Sequence, residues 1–126
     1  LLTPQTIRDW CAAHPTQVQD LLNHNPSYVF FRVLDLPDDL GPPGAMGRPV
    51  TPGRTLAVDP EVVPLGSPVW VQVPGFGARL MVAQDVGSAI KGAGRGDIFF
   101  GSGAQAGVDA GAMNARGRMI WLRRRA

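Results

Sequence analysis

From residue 54 onward, apolar residues come in short runs, each closed by glycine, proline or an acid. Runs of branched and aromatic residues bounded in this way are the pattern of β-strands. Such runs predict strands at residues 54–58, 68–73, 79–84, 97–100 and 118–122, and Tyr28-Val29-Phe30-Phe31-Arg32-Val33-Leu34 predicts another ahead of them. Pro74-Gly75-Phe76-Gly77 reads as a hairpin turn between two strands. The head of the chain has a different period. Ile7, Trp10 and Cys11 recur at three- and four-residue spacing behind Thr3-Pro4, an N-cap followed by proline at the first helical position. His14-Pro15 ends that helix, because a residue before proline avoids helical angles. A second helix is expected over residues 16–24, with Val18, Leu21 and Leu22 on its apolar side, and a third over residues 104–110. The sum is an all-β fold of five or six strands closed into a small barrel over residues 27–126, behind a helical lead-in over residues 1–26.

One stretch organises the rest. Leu80-Met81-Val82-Ala83-Gln84 runs into Asp85, a glycine-rich loop follows, and Asp97 opens the next apolar run, Ile98-Phe99-Phe100. An acid where a strand meets a loop can face a groove while its backbone stays anchored in the sheet. Asp59 holds the same kind of position after Leu56-Ala57-Val58, although a strand-end aspartate also serves simply to accept backbone N–H bonds. Glycines in the loop let backbone approach a ligand, so Gly87, Ser88, Ala89 and Lys91 are the candidate substrate contacts, with a merely solvated Lys91 as the alternative. The acids lie twelve positions apart in sequence, so only the fold can bring them together.

Composition narrows the chemistry. With 126 residues and 44% hydrophobic content the chain holds enough apolar mass for one modest domain. Glycine (16) and proline (12) fit turn-rich β structure. The long loop over residues 35–52 is of the kind that is functional or disordered. The formal charge is only +2, much of it in Arg123-Arg124-Arg125, so a nucleic-acid partner is not expected. Cys11 is the sole cysteine and is expected to be a small core residue; it excludes an internal disulfide. His14 and His24 are the only histidines, and both fall in the helical lead-in. No metal pattern and no base for a serine nucleophile remain in the β region, and no cofactor is expected. There is no signal peptide or membrane-length apolar run, and the chain opens on Leu1, which reads as part of a longer or processed protein.

Three ordered segments resemble a family. Asp59-Pro60-Glu61-Val62-Val63-Pro64-Leu65-Gly66-Ser67, Ala83-Gln84-Asp85-Val86-Gly87-Ser88-Ala89-Ile90-Lys91-Gly92 and Gly96-Asp97-Ile98-Phe99 are similar to the 3D domain, named for three aspartates. Asn25-Pro26-Ser27-Tyr28-Val29-Phe30-Phe31 resembles the lead-in of the membrane-bound lytic murein transglycosylase A family. The resemblance implies a six-stranded double-psi β-barrel that cleaves the β-1,4 bond between N-acetylmuramic acid and N-acetylglucosamine in peptidoglycan. Water is not consumed, and the product ends in 1,6-anhydromuramic acid. It implies Asp97 as catalytic acid and then base, Asp85 beside it in the groove, and a supporting Asp59. It further implies peptidoglycan glycan strands as partner, a periplasmic location, and attachment to the outer membrane only through a lipid anchor outside this chain. The preceding half of the family's enzyme, which forms the other wall of the groove, is absent here. Many 3D domains have threonine where this chain has Val86, so a hydroxyl at that position is missing.

The residues permit that chemistry. Glycosidases that use water need two carboxylates; an anhydro-forming enzyme needs one, because the muramoyl C6 hydroxyl attacks its own C1. Asp97 begins as an acid only if its neutral form is favoured, and partial burial beside Ile98 and Phe99 with like charge on Asp85 is expected to do this. Two other readings compete. One is a non-catalytic, expansin-like barrel that binds cell-wall polysaccharide. The other, an aspartic protease subunit suggested by Asp85-Val86-Gly87, lacks the hydroxyl that Val86 replaces.

Overall fold

The computed structural model describes residues 2–37 and 39–125; Asp38, in the long predicted loop, lies outside them. The chain divides into two compact units, one up to Asp35 and one from Leu36 on.

The first unit is helical. α1 (Pro4–Ala13) begins with a capping box in which Thr3 and Thr6 satisfy each other's backbone N–H groups. A single 3-10 turn (Pro15–Gln17) leads into α2 (Val18–Asn23). The proline forces this break, so the second helix is shorter than its apolar spacing suggests. Neither helix buries a residue completely, and Cys11, expected in a core, is half-buried. Residues 28–34 form no strand. Phe30, Phe31 and Val33 stand exposed, because no neighbouring strand satisfies the backbone there and β-propensity alone does not make a strand.

The second unit carries a mixed sheet of five strands: β1 (Thr55–Val58), β2 (Pro68–Val73), β3 (Gly77–Asp85), β4 (Gly96–Ile98) and β5 (Arg118–Trp121). Their order is β4-β1-β3-β2-β5. The expected sixth strand is absent among the described residues, so the sheet seen is a half-barrel. β2 and β3 form the expected hairpin, with Gly75 and Gly77 at φ of 80° and 90° in its turn. β1 pairs parallel with β3 and antiparallel with β4. It therefore lies between the two strands that the 80–101 stretch joins in sequence.

Alternation along the strands assigns the faces. Leu56 and Val58 of β1, Val69 and Val71 of β2, and Met81 and Ala83 of β3 form one buried cluster, with Ile98 and Met119 packed against it. Gly96 of β4 belongs to this face: a Cβ there would lie 2.9 Å from the Met119 sulfur and 3.3 Å from Leu56 Cδ1. The core closes directly onto the strand backbone at this point. The opposite face of the sheet is partly bare, since Leu80, Trp70 and Ile120 lie in register across β3, β2 and β5 and all are exposed. α3 (Ala104–Ala112) follows β4, close to its predicted bounds. No described helix is long and apolar enough to cross a membrane.

Candidate active site

β1 brings the two principal acids together. Ala57 is the register partner of Asp85 on one side and of Asp97 on the other. The acids thus lie in one row across the sheet, about 10 Å apart at their Cα atoms by ordinary strand spacing. The arrangement depends on a β-bulge. Leu56 pairs with Ala83, but Ala57 pairs with Asp85, so Gln84 is the extra residue. Bulges re-aim side chains beside functional sites. Gln84 is held in place by the Thr55 hydroxyl, which donates to its Oε1 at 2.8 Å.

Asp85 faces a chain segment that covers it. Its Oδ1 accepts the Ala45 N–H at 3.1 Å. Ala45 sits in a tight turn where the Gly44 N–H donates to the Arg48 carbonyl at 2.9 Å. A Cβ at Gly44 would lie 2.7 Å from the Gln84 carbonyl oxygen, so glycine is what lets this turn seat on the bulge. The later part of the long proline- and glycine-rich loop is therefore ordered over the acid.

Asp97 lines an open groove of about 510 Å³, a volume suited to part of a sugar chain. Arg95, Phe100, Met113 and Asn114 line it as well. Ile98 packs against the core cluster while Asp97 pairs with Ala57 on the other face, so the acid is only partly buried. Its side chain is 46% exposed and bound by Arg95. Arg95 Nε donates to Oδ1 at 2.6 Å and Nη2 to Oδ2 at 3.1 Å, a two-pronged contact. The hydrogen bonds and charge of Asp97 hold the Arg95 guanidinium above its already high ordinary pKa. Sequence reading passed over Arg95, although Arg95-Gly96-Asp97 carried the signal: positions i and i+2 of an extended segment share a side.

Asp59 is buried at the end of β1. Its Oδ2 accepts the Gly92 N–H at 2.8 Å, its Oδ1 accepts the Glu61 N–H at 3.2 Å, and Lys91 Nζ lies 3.6 Å away. The Gly92 hydrogen bond, helped by Glu61 and Lys91 and opposed by burial, holds this carboxyl below its ordinary pKa. These contacts tie the 86–95 loop to the end of β1. Gly87 is packed beneath Ile90, whose Cδ1 would meet a Cβ at 2.9 Å, and Ser88 and Ala89 form the exposed tip of the turn. Lys91 is mostly exposed, its amine turned to Asp59. None of Asp59, Asp85, Gly87, Ser88, Ala89 and Lys91 lines the groove at Asp97.

A pH prediction follows from Asp59. A carboxyl whose folded pKa is lowered stabilises the fold above its unfolded value, and that contribution is lost as pH falls through the folded one. Asp59→Asn is therefore expected to lower the thermal midpoint at neutral pH and to flatten the loss of stability below about pH 4. Thermal melts of both forms between neutral and acid pH check this, and parallel curves would refute it.

The model of the 3D domain matches residues 54–123, more than half of the chain. The chain belongs to the 3D domain family. Ahead of that match, residues 2–32 fit the MltA specific insert domain, which puts this 3D domain with the membrane-bound lytic murein transglycosylases A. A curated relative of that name from Escherichia coli K12 is 37% identical over 133 residues, covering 96% of this chain and 35% of the relative. A solved lytic transglycosylase, LtgG, from Burkholderia pseudomallei is 50% identical with a TM-score of 0.61, covering 95% of this chain and 37% of that one. The structure of E. coli MltA with bound chitohexaose is 35% identical with a TM-score of 0.82, covering 96% of this chain and 38% of that one. The 3D-domain chain thus spans about a third of the length of the curated relatives it matches.

Proposed function

We propose that this chain is the acid-bearing part of a lytic murein transglycosylase that cleaves the β-1,4 MurNAc-GlcNAc bond of peptidoglycan without water. Of the three motif aspartates, only Asp97 lines an open groove, and this observation carries the reading. Asp97 in its neutral form protonates the glycosidic oxygen as the bond to C1 breaks. The C6 hydroxyl of the same muramoyl residue then bonds to C1 and passes its proton to the Asp97 carboxylate. The products are a free N-acetylglucosamine end and a 1,6-anhydromuramoyl end, and the acid is regenerated.

Asp85, held by the Ala45 N–H, contributes negative charge across Ala57, and Asp59 fixes the 86–95 loop. The turn residues Gly87, Ser88, Ala89 and Lys91 contact more distant parts of the glycan. The parallel β1–β3 pair within an otherwise antiparallel sheet supports a six-stranded double-psi barrel in the complete protein. The chitohexaose bound by the E. coli relative supports a glycan strand as substrate, and the relatives' membrane-bound designation supports a periplasmic enzyme anchored outside this chain.

The test is the product. Sacculi digested with the complete protein are expected to release muropeptides ending in 1,6-anhydromuramic acid, read by mass spectrometry. Ends carrying an added water would identify a hydrolase using Asp85 as base. Binding without release would identify a wall-binding barrel.

A further inference from the structure

Resting on that reading of Asp97, we infer that Arg95 is a positioning residue that controls when Asp97 can act as an acid. Both carboxylate oxygens of Asp97 accept from Arg95, at 2.6 and 3.1 Å. A carboxyl group about to protonate a glycosidic oxygen must carry a proton on one oxygen and aim it at the substrate. The Arg95 fork engages both oxygens and sets a positive charge directly against them. It must therefore open before the first proton transfer. Once Asp97 is a carboxylate the fork can re-form, and it has to release an oxygen again before that oxygen accepts the C6 hydroxyl proton.

The geometry lets the fork open. Arg95 precedes β4, its side chain is 52% exposed, and it lines the groove that holds the acid. Among the described residues, no other charged group lines that groove. Ala110, Met113 and Asn114 also line it, and none of them is ionisable. The next charge in the sheet row is Asp85, on the far side of Ala57. Asp85 and Arg95 carry opposite charges, and of the two only Arg95 is in contact with Asp97.

The test is a pH profile of kcat/KM on purified glycan strands, using the complete protein with wild-type sequence, Arg95→Gln, Arg95→Lys and Asp97→Asn. Arg95→Gln removes the positive charge in contact with Asp97, and its alkaline limb is expected to move to higher pH. For a half-exposed pair this raises the rate ratio between mildly alkaline and mildly acid pH by about threefold. Arg95→Lys keeps the charge without the fork and is expected between the two. Added salt is expected to move the wild-type limb toward that of Arg95→Gln and to leave the latter in place. An unmoved limb in a folded Arg95→Gln protein, with Asp97→Asn inactive, overturns the role of Arg95 alone. A folded Arg95→Gln protein inactive at every pH overturns it too, since Arg95 would then be needed for more than the protonation state. If Arg95→Gln does not fold, Arg95→Lys decides, because a wild-type limb and salt response there would remove the fork as the cause. Near-normal rates for Asp97→Asn would instead overturn the catalytic reading on which the inference rests.

Discussion

Asp97→Asn in the complete protein is expected to lower the release of anhydromuropeptides by at least about 10²-fold, the usual contribution of a placed general acid-base. The amide has nearly the shape of the carboxyl but can neither give nor take the proton at both steps. Fold stability should hardly change. Asp97 is 46% exposed, its backbone stays in the β4–β1 ladder, and the ion pair it loses is on the surface. The readout is turnover on purified sacculi alongside a thermal melt. Near-normal turnover with an unchanged melt would remove Asp97 from the reaction. A collapsed melt would mean that its structural role is larger than its exposure implies.

Leu56→Ala should have the largest effect on folding. Leu56 is 1% exposed and belongs to the strand that pairs with both β3 and β4. Cutting a buried leucine back to alanine costs about 2–5 kcal/mol in transfer and cavity terms. That is a sizeable part of a typical domain's 5–15 kcal/mol or so. The site should suffer with the core. Leu56 stands at the bulge that sets Asp85 opposite Ala57, and its Cδ1 approaches Gly96, next to Asp97. Denaturant unfolding of the complete protein and turnover at low temperature measure the two effects. A loss below about 1 kcal/mol would show that the neighbours refill the space.

Much of this fold was legible in the order of residues. Strand bounds in the second unit followed from apolar runs and their punctuation, because each run had to bury one face and each glycine or proline had to turn the chain. Thr3-Pro4 marked the start of α1 for the same local reason. Asp59 just after β1, Asp85 at the end of β3 and Asp97 within β4 were visible as acids bounding apolar runs. Residues 28–34 misled, since their aromatic and branched side chains match strand propensity, yet a strand exists only where another strand accepts its hydrogen bonds.

The alternating strand faces, the turns, the small first helix and the list of acids depend on neighbours along the chain and were set by residue order. The tertiary structure alone decided which acids meet. It inserted β1 between two strands that are consecutive in the 80–101 stretch, and it added one residue at Gln84 so that Asp85 falls opposite Ala57. It also separated three similar aspartates by their surroundings. Asp59 is buried among N–H donors, Asp85 lies under the turn that carries Ala45, and Asp97 stands in an open groove gripped by Arg95. Such differences come from solvent exposure and hydrogen-bond partners supplied by distant parts of the chain, which no local pattern records.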